Sequence, residues 1–377
     1  RICVRYECVP MRFIKHVYKI HTYAQDGCLF EGKTPVSAFL NSSYDGSFIA
    51  GLMELRYIQS LPVERIINYF ESHGFTLKKP TAHKLMEKAS SLFENLYKCI
   101  RQTALSDPYK AADETYYKIL VPEKNSKGKG VRKGYLWVVV GINTRMIYLL
   151  YDDGSRSEKV ILNELGGCKG IIQSDGYSPY RKLESDAYPH ITRIPCLQHI
   201  KRKFIDCGED DPDAKRIVEM INTLYQNEHK HKIGVDGWTV EQNLVHRKKY
   251  APDILGEIKD VLDDIEERGD LLPKSELKEA ITYLRNEWNA VVDIFNYGDT
   301  YLDNNIVERM NRYISLSRKN SLFFGSHKGA ERGAILYTIA LTCRMNKVNL
   351  FEYLTDVINR TAEWQPNTPL EKYRQLL

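Results

Sequence analysis

Residues 46–105 carry apolar positions at three- and four-residue steps, as in "SFIAGLMELRYIQS" and "LPVERIINYFESHG". That spacing predicts amphipathic helices, with Pro62 opening one and Gly74 closing it. Before them, residues 1–45 look β-rich: "RFIKHVYKIHTY" alternates with period two. After them the texture changes. "ETYYKILV", "GYLWVVVGI" (134–142) and "MIYLLYDD" (146–153) read as strands, with Asn143 and Thr144 as a hairpin connection between the last two. A helix is predicted over 156–167 and a short apolar strand ending at Asp175, followed by the helical "SPYRKLES". "ITRIPCLQHIKRKF" (191–204) reads as a strand running into a basic helix.

Three antiparallel strands followed by helix–strand–helix–strand–helix is the element order of a ribonuclease H-like core. The expected fold class is therefore α/β, a mixed five-stranded sheet with helices, joined to a helical N-terminal region and a helical insertion. The pattern divides the chain into a β-rich N-terminal remnant (1–45) and a helical, helix-turn-helix-like region (46–110). The first part of the core follows (111–206), then a charged helical insertion (207–297). A segment with a further helix and a basic loop (298–335) and a C-terminal helical segment (336–377) complete it. The helix-turn-helix resemblance of 62–100 admits two readings, a DNA contact or a plain helical packing unit.

The 377 residues suffice for two or three domains, and 43% hydrophobic with 27% charged content describes a globular chain. No apolar run approaches the roughly 20 residues of a membrane span, and no signal peptide is recognisable. The sequence starts at Arg1 inside a strand-like run, "RICVRYECV", so a fragment or processed product is expected. Eight cysteines without paired spacing suggest reduced thiols and a cytoplasmic protein. The net charge of +5 says little by itself, but its distribution says more. "KNSKGKGVRKG" (124–134), "HIKRK" (199–203) and "ERMNRYISLSRKN" (308–320) are basic, whereas 206–215 and 260–270 are acidic.

Carboxylates in a strand are costly unless a cation meets them. "AADETYYKIL" places Asp113 and Glu114 in one. In the expected sheet, Asp113 on the first strand and Asp175 at the end of the fourth sit on neighbouring parallel strands. Glu308, on a helix starting near Asn305, would pack beside that sheet edge. Three converging carboxylates repel one another unless neutralised, and oxygen-only ligands suit Mg²⁺ or Mn²⁺ rather than zinc. Two such ions about 4 Å apart can clamp the attacking and leaving oxygens of a phosphodiester displacement. Each signal alone has a plainer explanation: a structural aspartate, a turn at "SDG", a solvated ion pair at "ER". Their order along one sheet pattern favours the metal reading.

"ADET", "GYLWVVVG", "QSDGYSPY", "CLQHIKRKF", "LDNNIVER", "SRKNSLFFGSHKGAERGA" and "NKVNLFEYLTDVINR" together resemble the transposases of the insertion-sequence-66 (IS66) family. The resemblance covers nearly the whole chain. It implies a three-carboxylate transposase of bacterial mobile DNA that cleaves element ends and transfers strands into target DNA. Asp113, Asp175 and Glu308 are then the catalytic, metal-holding acids, and Glu114 is a supporting neighbour. It also implies double-stranded DNA as partner and small accessory proteins of the same element, and a homo-oligomer is one further possibility that the sequence does not decide. Family members carry a zinc-ribbon-like and a leucine-zipper-like segment ahead of the catalytic part. Here Cys28 stands alone where a paired knuckle is expected, so zinc is not expected. Two rival functions stay open: a nuclease that only cleaves, and a DNA-binding remnant without activity.

Cys196 and His199 form a C-x-x-H step that lacks the four ligands of a structural zinc site. Lys201, Arg202 and Lys203 follow and can grip phosphates. Arg309 joins the same DNA-binding set. Arg312, one turn after Glu308, can hold the scissile phosphate or pair with Glu308. Arg318, Lys319 and Asn320 are expected to open a loop ending at Gly325 that tracks DNA backbone, and the adjoining "FFG" is either core or a base-stacking platform.

Overall fold

A computed structural model of the chain describes residues 4–377 apart from 9, 34, 36, 40–41, 125–127, 129, 209 and 366. Parts of the strand-like "RICVRYECV" run and of the basic 124–134 run lie outside the described residues. In the N-terminal stretch, β1 (Thr22–Gln25) and β2 (Cys28–Glu31) pair antiparallel about Asp26 and Gly27, both at positive φ. The alternating run before Thr22 is not strand, and most of its side chains are exposed. Alternation alone does not make a strand.

Helices α1 (Gly46–Tyr57), α2 (Val63–Ser72), α3 (Lys79–Leu92) and α4 (Glu94–Ser106) follow. The Asp45 carboxylate caps α1 by accepting from the Phe48 N–H at 3.0 Å. Pro62 sits just before α2, and Gly74 leaves it at φ +82°, a conformation that glycine adopts without a Cβ penalty. The helix-turn-helix-like pair is α2 and α3. They pack on each other, and α3 also rests on α1, leaving Lys79, His83 and Lys84 on its outer face.

The sheet comprises β3 (Tyr109–Leu120), β4 (Val131–Gly141), β5 (Met146–Leu150), β6 (Gly170–Ser174) and β7 (Ile191–Pro195). Between them lie α5 (Glu158–Leu165), α6 (Ser178–Arg181) and a single 3-10 turn. The strand order is β5-β4-β3-β6-β7. β5 runs antiparallel to β4, whereas β6 is parallel to β3 and β7 to β6. This is the mixed five-strand sheet of a ribonuclease H-like fold, with a two-residue strand β8 (Phe323–Phe324) added beside Lys118 and Ile119 of β3. The run Leu136–Val140 is wholly buried, as a central strand covered on both faces requires.

After β7 come α7 (Leu197–Ile205) and the insertion helices α8 (Pro212–His229), α9 (Val240–Glu267) and α10 (Glu276–Ile294). The starts of all three are written in the sequence. Asp211 caps α8, Thr239 and Gln242 form a capping box on α9, and Ser275 accepts from the Lys278 N–H of α10. α10 packs on β7 and α7. One apolar core runs from Tyr109, Ile171 and Ile194 of the sheet through Ile217, Leu262 and Ile281 of the insertion. The insertion is thus a layer on the sheet rather than a body of its own.

The chain ends with α11 (Asn305–Asn320), α12 (His327–Met345), α13 (Leu350–Thr361) and α14 (Leu370–Arg374). Arg318, Lys319 and Asn320 were expected to open a loop, but they form the last turn of α11. Burial of Ile314 and Ser317 keeps that helix wound through the polar sequence. Its neighbour Phe324 is core, packed on Tyr117 at 4.2 Å between ring centroids, while Phe323 is exposed.

Packing divides the chain into two units that cut across the consecutive segments read from the sequence. One comprises Arg101–Tyr116 and Gly134–Arg312, which hold most of the sheet and the insertion. The other comprises Arg1–Ile100, Tyr117–Lys133 and Tyr313–Leu377, in which α1 packs on α13 from the far end of the chain. Among the described residues no helix is long and apolar enough to cross a membrane.

Candidate active site

Ala111 of β3 lies opposite Gln173 of β6. Asp113 lies two residues further along β3 and Asp175 just beyond the end of β6, close enough for the Asp175 charge to act on the Asp113 carboxyl. The Asp113 carboxyl is pushed up to about 8, chiefly by burial and then by the charges of Glu114 and Asp175. It is held in place by the Asn311 side-chain amide, which donates to Oδ2 at 2.6 Å, and by the Glu114 N–H, which donates to Oδ1 at 2.8 Å.

Asp175 sits just past the end of β6. Its Oδ1 accepts from the Tyr177 N–H at 3.1 Å, and its carbonyl accepts from Arg193 at 2.7 Å. Arg193 is fully buried. It also donates to the Ser174 hydroxyl at 3.0 Å and makes 2.6 Å ion pairs with Glu184 and with the equally buried Glu287 of α10. The Gly176 N–H donates to the Tyr283 hydroxyl at 2.9 Å, and a Cβ at Gly176 would lie 2.4 Å from that oxygen. A side chain at this position would force the Tyr283 ring to shift.

Glu308 lies in the first turn of α11. The segment before it is pinned to the sheet: the Asn304 side chain donates to the Ala112 carbonyl at 3.0 Å, and the Asn304 N–H points at the Cys196 sulfur at 3.3 Å. Glu308 Oε1 stands 3.7 Å from His199 Nδ1, and each of these buried atoms lacks a hydrogen-bond partner. Among the described residues, Cys196, His199 and Glu308 form the one group of three metal-capable side chains with ligand atoms within 4.8 Å of one another. Asp113 and Asp175 share a field, but they do not form such a group with Glu308. Burial pushes the Cys196 thiol up to about 12.

Glu114 pairs with Arg156. That guanidinium lies 4.2 Å from the Tyr177 ring centroid. The buried Tyr180 hydroxyl lacks a hydrogen-bond partner. Its pKa is driven far up by burial and then by the charges of Glu114, Asp113 and Asp175. Sequence reasoning missed Arg156, Arg193 and Tyr283.

A cleft of about 360 Å³ opens beside Asp175, lined by Tyr177, His199, Arg202, Lys203 and Tyr283. Arg202 and Lys203 are exposed and Lys201 is half-buried. Arg309 and Arg312 are exposed on α11, and among the described residues Arg312 makes no ion pair with Glu308. Lys319 and Asn320 are exposed and Arg318 is half-buried, in the other unit. That unit has its own cavity of about 460 Å³, lined in part by Lys79, His83 and Arg332, and it contains none of the three acids.

A mixed sheet of this order, with helices packed on it, places the chain in the ribonuclease H-like fold class. The chain belongs to the IS66 transposase family, whose model matches residues 41–332. Among curated proteins it is similar to the uncharacterized protein y4jD of Sinorhizobium fredii, 26% identical over 82% of this chain and 61% of that protein. The uncharacterized protein y4qI of the same organism is 26% identical over 97% of this chain and 69% of its own length. The chain thus spans about three fifths to two thirds of the curated relatives it matches.

Proposed function

We propose that this chain is the catalytic part of a bacterial insertion-sequence transposase, which cuts phosphodiester bonds at element ends and joins the freed 3′ ends to target DNA. The observation that carries this reading is the electrostatic coupling of Asp113 on β3 with Asp175 just past the parallel β6, beside a cleft lined by Arg202 and Lys203. The donor set fits a hard divalent cation. Asp113 is buried among like charges and Glu308 Oε1 has no partner, so oxygen ligands meet Mg²⁺ or Mn²⁺ chemistry. One or two such ions, held by Asp113, Asp175 and Glu308, would supply Lewis-acid shielding of the phosphodiester and acidify water.

The chain's own groups orient and bind. Asn311 fixes the Asp113 carboxylate, Arg193 fixes the backbone of Asp175, and Arg202 and Lys203 take phosphates next to it. Lys201, Arg309, Arg312, Arg318, Lys319 and Asn320 contact DNA backbone, positioning the duplex without reading its sequence. Copies of this chain and small proteins of the same element are proposed partners on bacterial DNA in the cytoplasm. The test is nicking of supercoiled DNA by the purified chain with Mg²⁺. Wild type should nick and Asp175→Ala should not. Equal nicking by both would sink the reading, and nicking without joined product on a target plasmid would reduce it to a nuclease.

The raised pKa of Asp113 gives a pH signature. In the unfolded chain this carboxyl ionises near 3.8, and in the cation-free fold near 8. The fold therefore loses stability as pH climbs through that window, and the full penalty is present above 8. A cation must displace the proton. Mn²⁺ affinity, measured by calorimetry, should rise about tenfold per pH unit from pH 6 to 8 and then level off. Asp113→Asn should flatten the profile, and a flat wild-type profile would exclude Asp113 as a ligand.

A further inference from the structure

Cys196 precedes the first residue of α7, and His199 lies in its first turn, so a spacing of three sets thiol and imidazole on one side. The sequence supplies no third ligand nearby. The fold does, because the Asn304 contact to Cys196 brings the start of α11, and with it Glu308, against the start of α7. The three ligand atoms then lie within 4.8 Å of one another, and His199 Nδ1 stands 3.7 Å from Glu308 Oε1. Ligand atoms around a tetrahedral zinc ion at about 2.1 Å from nitrogen and oxygen are roughly 3.4 Å apart, so small side-chain adjustments suffice. At the present distance His199 and Glu308 form no hydrogen bond, and Nδ1 and Oε1 are both buried without any partner. Such orphaned groups carry a desolvation penalty that a shared cation would offset.

We propose that Cys196, His199 and Glu308 form a binding site for a soft or borderline divalent ion, Zn²⁺ or Co²⁺, distinct in chemistry from the oxygen-only site of Asp113 and Asp175. Thiolate and imidazole select zinc over magnesium, and three protein ligands leave the fourth position to water. The thiol proton leaves to solvent on binding. Because the site takes Glu308, zinc draws that carboxylate away from the acids. Zinc is then an inhibitor of cleavage, a consequence that rests on the function proposed above, whereas the binding itself does not.

The test uses the purified full chain and Co²⁺ as a spectroscopic probe. A stoichiometric complex with a near-ultraviolet thiolate-to-cobalt charge-transfer band is expected, removed by Zn²⁺. Cys196→Ser should abolish the band, and His199→Ala and Glu308→Gln should weaken binding at least tenfold. His199→Ala, at a partly exposed position, decides the question if Cys196→Ser does not fold. Asp175→Asn should keep the band, which separates this site from the catalytic one. A band that persists in Cys196→Ser, or unchanged affinity in His199→Ala, overturns the proposal. In the nicking assay, Cys196→Ser should need at least tenfold more Zn²⁺ for half-inhibition at saturating Mg²⁺. Equal sensitivity would overturn the inhibitory role. Absence of nicking by wild type would refute the catalytic reading and leave the cobalt result standing.

Discussion

Asp113→Asn and Glu308→Gln each lower the cleavage rate at least about 10³-fold, about 4 kcal/mol in the barrier, while affinity for duplex DNA changes little. On the function proposed above both residues would present oxygens to a cation, and neither would donate to a phosphate. Removing a negative charge does not weaken attraction to a polyanion, so binding survives. For Asp113 the substitution also removes a group that the cation-free fold holds protonated far above its usual range. Asp113→Asn should therefore melt no lower than wild type at pH 8 without added metal, and it should lose the stabilisation that Mn²⁺ gives wild type. Single-turnover cleavage, filter binding and thermal melts on the same preparations make the comparison. A folded variant that cleaves at near wild-type rate would remove that residue from the site.

The second large effect is on stability. Glu287→Ala should cost about 3 kcal/mol in urea unfolding, because it leaves the buried Arg193 guanidinium with the more exposed Glu184 as its remaining charge partner. Glu287 is itself held above its normal pKa, since burial outweighs the attraction of Arg193. The pair is therefore a costly arrangement that well-packed apolar residues can replace. Arg193→Met combined with Glu287→Leu should recover most of the stability lost in either single variant. The same double variant should still cleave poorly, because Arg193 also donates to the Ser174 hydroxyl and the Asp175 carbonyl. A loss below about 1 kcal/mol in Glu287→Ala would mean that solvent reaches the pair after all.

Much of the fold was legible because its signals are local. The continuous apolar run of β4, the turn at Asn143 and Thr144, the Ser275 cap and the start of α11 at Asn305 all depend on neighbours in sequence. The acids of the site could be ordered on strands for the same reason. Arg156, Arg193 and Tyr283 were not legible. Their partners are Glu114, Asp175 and Gly176, at separations of 42, 18 and 107 residues, and no local pattern marks an arginine that will be buried by a distant helix. The alternating run before Thr22 failed in the opposite way, since its local pattern is good but among the described residues it pairs with no strand. The end of α11 was misplaced because "SLSRKN" is polar, and only the burial of Ile314 and Ser317 keeps it helical.

The Asn304 side chain reaches the Ala112 carbonyl across 192 residues of chain, and that contact has a consequence in time. During synthesis the N-terminal parts fold first. Asp113 and Asp175 can come together as soon as β6 pairs with β3, but the segment bearing Glu308 is pinned to the sheet only after the whole insertion has emerged and packed. Closing so long a loop is entropically unfavourable until the insertion shortens the gap. A nascent or prematurely ended chain that stops before Asn304 carries two acids and no third, so unfinished copies are unable to cut DNA on this reading.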